Sequence, residues 1–267
     1  MSRRHLTFPC EGATLVGTLD EGNADAGLLL VSGGNELRSG AWAGQALLAA
    51  RLAAAGHPVF RFDRRGVGDS DGPNAGFRSS APDIAAALAA FRAACPHVTR
   101  IVGLGNCDAA SALMLARGEG FQALLLSNPW TIEQDDAPPP PEAIRSHYRR
   151  RLADPAALKR LISGRISLSA LIASLRDALR KPTPPTNLAR DIAAGIASFS
   201  GAVTFLIAER DRTAQVFLST WDKADPRISR CADASHSYVE PDARDWLVER
   251  VLEALKSPSS HTRPGHT

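Results

Sequence analysis

Apolar and polar positions first alternate along this chain and then run solid. "HLTFPC" (5–10) and "ATLVGTLD" (13–20) alternate on either side of Glu11-Gly12, which predicts an opening β-hairpin. "AGLLLVSGG" (26–34) is a continuous apolar run ending in glycines, as expected of a strand buried on both faces. "WAGQALLAARLAAAG" (42–56) has helical spacing and stops at Gly56. The order then repeats. "HPVFRFDRRGVGDSDG" (57–72) reads as a strand and a Gly/Asp turn, and "PDIAAALAAFRAAC" (82–95) as a helix. "RIVGLG" (100–105) is a strand, "DAASALMLARG" (108–118) a helix and "FQALLLSNPW" (121–130) a strand. Strand–helix alternation of this kind predicts an α/β fold with a mostly parallel central sheet, right-handed crossovers and flanking helices.

The alternation breaks at the proline-rich "EQDDAPPPPE" (133–142), and helical patterns follow as far as "PTPPT" (182–186). It returns with the strands in "GAVTFLIAERD" (201–211) and "RISRCADASHS" (227–237), then the helix "PDARDWLVERVLEAL" (241–255). The expected division is a core of residues 1–130 and 200–256. A helical cap, 131–199, is inserted between strands 6 and 7, and the polar tail 257–267 reads as disordered. Residues 142–190 hold 11 Lys and Arg against Glu142, Asp154 and Asp177. The insertion is thus +8 in a chain of net charge +3, and the rest is −5. A basic cap on an acidic body attracts anionic ligands, although a solvated helix face accounts for the same charges.

Composition mainly excludes. The 267 residues, 44 % hydrophobic, suffice for one core with an insertion. A charge of +3 does not suggest nucleic acid. The four cysteines (10, 95, 107 and 231) form no C-x-x-C and no metal spacing with His, so neither a metal, a cofactor nor a disulfide framework is expected. No signal peptide and no transmembrane run of 18 apolar residues is seen, and a cytoplasmic protein with reduced thiols is the expectation.

Chemistry concentrates where "RIVGLG" becomes a helix. Gly105-Asn106-Cys107-Asp108-Ala109 nearly matches the nucleophile elbow G-x-S-x-G, with Cys for Ser and Ala for the last Gly. Small residues at 105 and 109 let the chain pass through a tight turn, and a helix N-terminus favours a thiolate. The alternative is a buried packing cysteine. A nucleophile of this kind is followed along the chain by its acid and then its His. Asp211 follows one returning strand and His236 the next; Glu209 and Asp233 are rivals for the acid. The backbone N–H of Asp108 and those of Gly34 or Asn35, in the glycine-rich loop after the third strand, are the expected oxyanion donors. "GVGDSDG" (66–72) lacks the lysine and spacing of a phosphate loop and reads as a structural turn, with Arg64 and Arg65 in ion pairs. Trp130 either packs in the core or lines a pocket mouth.

With those residues in place the chain resembles the α/β-hydrolase superfamily over nearly its whole length. More narrowly, "LTFPCEGATLVGTL", "VSGGNELRSG", "RFDRRGVGDSDG", "GNCDAASALMLA" and "LLLSNPW" are similar to exosortase A system-associated hydrolase 1, hydrolases found with exopolysaccharide and protein-sorting loci in Gram-negative bacteria. The resemblance implies an α/β-hydrolase fold and a Cys107–Asp211–His236 triad acting on an ester or thioester. Dienelactone hydrolases also use a cysteine on this fold, but the long insertion makes them a poorer match. Two departures stand out: "AERDRTA" lacks the Gly found before the acid in many relatives, and Glu36 near a thiolate would raise its pKa. The expected partner is a small or carrier-bound acyl substrate, and the basic insertion would suit an anionic one. An acyltransferase on the same triad, or a non-catalytic scaffold of the sorting machinery, stays open.

Overall fold

In a computed structural model that describes residues 2–133 and 186–257, the alternation folds into one eight-stranded sheet. Its strands are β1 (Arg3–Cys10), β2 (Ala13–Asp20), β3 (Ala26–Val31), β4 (Val59–Phe62), β5 (Arg100–Asn106), β6 (Ala123–Ser127), β7 (Ala202–Ala208) and β8 (Ile228–Cys231). Their spatial order is β1-β2-β4-β3-β5-β6-β7-β8. β1 pairs antiparallel with β2 and β2 with β4; every later pair is parallel. The opening hairpin is the alternating stretch of the sequence, and the parallel strands are its solid apolar runs. β3, β4 and β6 are buried along their whole length because helices cover both faces.

The helices are α1 (Gly44–Ala54), α2 (Ala81–Ala94), α3 (Asp108–Leu115), α4 (Asn187–Ala197), α5 (Arg212–Thr220) and α6 (Pro241–Lys256). On one face Ile84, Leu88 and Phe91 of α2, Leu113 and Met114 of α3 and Phe217 of α5 pack with Leu29, Phe60 and Phe205 of the sheet. On the other, Leu48 and Leu52 of α1 and Val248, Val251 and Leu255 of α6 pack with Leu28, Leu30, Val102 and Leu104. Completely burying a leucine or phenylalanine contributes about 1.5–3 kcal/mol, so these two layers supply most of the drive to fold.

The proposed cap span falls mainly outside the described residues, and with it most of the basic cluster. Its final part is described: α4 starts at Thr186, whose side chain accepts from Ala189 N, and it buries Leu188, Ile192 and Ile196 in the α2–α3 layer. The tail after Ser257 also lies outside the described residues.

The turn after β4 has a positional role. Asp63, fully buried, pairs with Arg38 and accepts the Arg38 and Asp69 N–H groups. Ser70 Oγ donates to Asp63 O at 2.7 Å. Arg64 donates to Gly34 O and, at 2.9 Å, to Ser80 Oγ. Arg65 is paired with Asp83 and Glu11. "DRRGVGDSDG" therefore clamps the glycine loop that follows β3.

Candidate active site

β5 ends at Asn106 and α3 begins at Asp108, so Cys107 alone makes the turn from strand to helix. Its φ is 62° and ψ −127°, a region that non-glycine residues adopt only at a cost of about 1–3 kcal/mol. Hydrogen bonds hold it there. Cys107 N donates to Ser127 O at 2.9 Å, and Cys107 O accepts from Ala110 N and Trp130 N at 3.1 and 3.2 Å. A Cβ at Gly105 would meet the Ala109 backbone at 2.7 Å, which explains the small residue there. The thiol is partly exposed, unlike those of Cys10 and Cys95.

Opposite it stands His236, between β8 and α6. Its Nδ1 lies 2.9 Å from Asp211 Oδ2, and Cys107 is close enough to the ring to favour its charged form. Asp211 is 7 % exposed and is fixed as the N-cap of α5, accepting from Thr213 N and Ala214 N at 3.2 and 3.1 Å. The Asp211 hydrogen bond, followed by the neighbouring Cys107, pushes His236 up to about 10 against the opposing effect of burial. Of the three candidate acids, Asp211 is the one that meets the imidazole. Glu209 faces Arg230 at 3.7 Å.

The oxyanion side is arranged differently from the sequence expectation. Gly34 N does not point into free space: it donates to Asp108 Oδ1 at 2.6 Å. Arg64 Nη2 lies 3.8 Å from Asp108 Oδ2. A Cβ at Gly33 would meet Asn106 O and Asp108 Oδ1, each at 2.7 Å, so the loop can approach the elbow only as glycine. Asn35 accepts from Asn74 through its side chain. Asp108 was expected to act through its N–H; its carboxylate is what meets the loop. Glu36 donates its N–H to Gly33 O at 3.0 Å. Trp130 packs against the α2–α3 layer and donates Nε1–H to Ile132 O at 2.7 Å.

Behind the site is a polar layer that sequence reasoning missed. Asn106 Nδ2 donates to His236 O at 3.1 Å. Ser127 Oγ donates to Asn106 Oδ1 at 2.8 Å and lies 2.9 Å from Tyr238 Oη. Asn128, fully buried with φ 44°, donates to Asn106 Oδ1 and accepts Ala208 N at 2.9 Å. Burial pushes the Tyr238 hydroxyl far above its usual range, so it stays neutral. The only signal available in the sequence was the polar pair Ser127-Asn128 closing an apolar strand.

Among the described residues no cluster of three His, Cys, Asp or Glu could hold a metal ion, and no helix is long and apolar enough to cross a membrane. No curated protein matches the sequence. Many solved structures share the fold at low identity, among them two esterases and a thioesterase domain. The esterase Pf2001 from Pyrococcus furiosus is 16 % identical, with a TM-score of 0.62 over 96 % of this chain and 90 % of its own. The esterase EaEST from Exiguobacterium antarcticum is 16 % identical, with a TM-score of 0.61 over 95 % of this chain and 100 % of its own. A thioesterase domain from the curacin biosynthetic pathway is 14 % identical, with a TM-score of 0.55 over 94 % and 100 %. The sequence profile described as the alpha/beta hydrolase family matches residues 28–250, from β3 to within α6, and with this sheet and elbow the chain belongs to the α/β-hydrolase family.

Proposed function

We propose that the protein is an acyl hydrolase that opens an ester or thioester through Cys107, His236 and Asp211. The observation that carries this reading is the imidazole held 2.9 Å from Asp211 beside a cysteine that makes the strand-to-helix turn with φ 62°. His236 takes the thiol proton, or pairs with the thiolate, while sulfur attacks the carbonyl carbon. The carbonyl π pair moves onto oxygen, and when the tetrahedral intermediate collapses the C–O or C–S bond to the leaving group breaks. The imidazolium protonates that group. His236 next deprotonates water, which attacks the thioacyl carbon and releases the acid and the thiol. Asp211 keeps the ring in orientation and stabilises its charged form.

The oxyanion is received by the N–H groups of Asp108 and of Gly34 or Asn35. For Gly34 to serve, the incoming acyl oxygen displaces the Asp108 carboxylate from its N–H. Hydrolysis is favoured over transfer by the esterase and thioesterase neighbours, and an acyltransferase would differ only in that an alcohol replaces water in the second step. A setting in exopolysaccharide or sorting systems, and a cap that favours anionic or carrier-bound substrates, are parts of the same proposal that rest on motif resemblance and charge.

Turnover of p-nitrophenyl esters and acyl thioesters by the parent and by Cys107→Ala tests the reading; equal turnover ends it. Iodoacetamide gives a second readout. Burial pushes up the thiols of Cys10 (to about 11, with help from Asp83), Cys95 and Cys231, so Cys107 is expected to alkylate first. Labelling with no preference for Cys107 favours a non-catalytic scaffold.

A further inference from the structure

A cavity of about 480 Å³ opens between α1 and α6, on the sheet face opposite α2 and α3. Ligand pockets run from about 300 to 1,000 Å³ and are walled mainly by apolar side chains. Here the walls are Leu30, Leu48, Leu104, Leu247 and Val248. Trp42 and Leu47, two of the four large apolar side chains exposed among the described residues, lie at the rim. Water solvates such a surface poorly, and an apolar chain would bury it.

Neither Cys107 nor His236, Asp108 or Gly34 contributes to the lining. The inner end is formed instead by Asn106, Ser127 and Tyr238, three members of the polar layer that holds the His236 carbonyl. Ser237 also lines the cavity, and its carbonyl accepts Trp42 Nε1–H at 3.1 Å. Trp42 and Ala43 both have positive φ, 48° and 61°, so the rim is held in a conformation those residues disfavour.

The two arginines and two carboxylates of the lining balance, and Arg244 is the lining cation with no ion pair among the described residues. Arg51 is matched by Asp245 at 2.7 Å, a pair that joins α1 to α6. Glu36 adds a second carboxylate to the lining. Arg244 lies over the Trp42 ring at 5.4 Å. A guanidinium stacked on a ring keeps its in-plane N–H donors for an anion.

We propose that this cavity is a second binding site, separate from the thiol, for a single-chain amphiphile with an anionic head, a medium-chain fatty acid being the simplest. The chain lies between Leu48 and Val248, and the carboxylate meets Arg244. Occupancy is felt at His236 through Asn106, Ser237 and Tyr238.

The test is calorimetric titration of the full chain with dodecanoate and with dodecanol below their aggregation limits. One equivalent of dodecanoate is expected to bind. Ala50→Phe, on the partly exposed face of α1 that lines the cavity, should weaken both ligands by about ten-fold or more, and Leu47→Asp should reproduce this if Ala50→Phe perturbs folding. Arg244→Gln should weaken dodecanoate by roughly three- to ten-fold and leave dodecanol unchanged. Cys107→Ala and iodoacetamide-treated protein should still bind one equivalent, within about three-fold of the parent affinity, so this site and the esterase reading fail separately. No binding by the parent, parent-like binding by both cavity variants, or loss of binding on alkylation of Cys107 overturns the second site. Saturating dodecanoate should also change the rate of Cys107 alkylation about two-fold or more; an unchanged rate removes the link to His236.

Discussion

The two flanks of Cys107 are built on opposite principles. On the His236 side every polar group faces its complement: Asp211 is held by the first turn of α5, the imidazole by Asp211, and the His236 carbonyl by Asn106. On the Gly34 side the donor needed by an oxyanion already serves a carboxylate of the same chain. On the proposed mechanism, one flank is assembled for reaction and the other holds an internal anion where the reacting oxygen would sit. Proton transfer would then be preorganised, while charge stabilisation would wait for an exchange of ligands at one N–H.

Substitutions on each flank sharpen that contrast. The largest effect belongs to the atom both flanks share: Cys107→Ala is expected to lower ester turnover by about 10⁴-fold or more, read from steady-state kinetics. Asp211→Asn comes next, with a loss in kcat of roughly 10²–10⁴-fold and an altered pH profile, because the ring loses its orienting charge. A histidine whose folded-state pKa lies above its unfolded value, about 6.5, stabilises the fold below that value. The contribution is lost as pH rises through about 10. Urea midpoints measured between pH 6 and pH 10.5 should therefore fall for the parent and flatten for Asp211→Asn.

On the other flank the sign reverses. Asp108→Ala frees the Gly34 N–H and should raise acylation by several-fold, up to about ten-fold, in a single-turnover experiment. Such a gain, set against the losses on the His236 flank, is what the contrast predicts; a loss as large as that of Asp211→Asn would show that both flanks are assembled alike. The smallest change is Tyr238→Phe, which removes one hydrogen bond to Ser127 and should cost about 0.5–1.5 kcal/mol in denaturant unfolding, with turnover changed less than ten-fold.

The sequence shows the contrast only by half. Parallel strands were legible because β3, β4 and β6 are buried on both faces and carry unbroken apolar runs. The contact between Asp211 and His236 joins two residues that the sequence places just beyond successive returning strands. The contact of Asp108 was not legible, because the same residue offers both an N–H and a carboxylate and no spacing says which faces Gly34. The Asn106–Ser127–Tyr238 layer was equally hidden. Its members are separated by 21 and 111 positions, and hydrogen bonds at such separations impose no period on the chain. The turn conformations of Asn128 and Tyr238 have φ of 44° and 52°, which asparagine tolerates and tyrosine rarely announces.

A backbone angle of 62° at residue 107 also sets stability against chemistry. Glycine is the residue that this corner suits best. Cys107→Gly should consequently melt at a higher temperature than the parent, by on the order of 1 kcal/mol in stability, while catalysing nothing. The sulfur occupies a position where folding alone would have chosen no side chain at all.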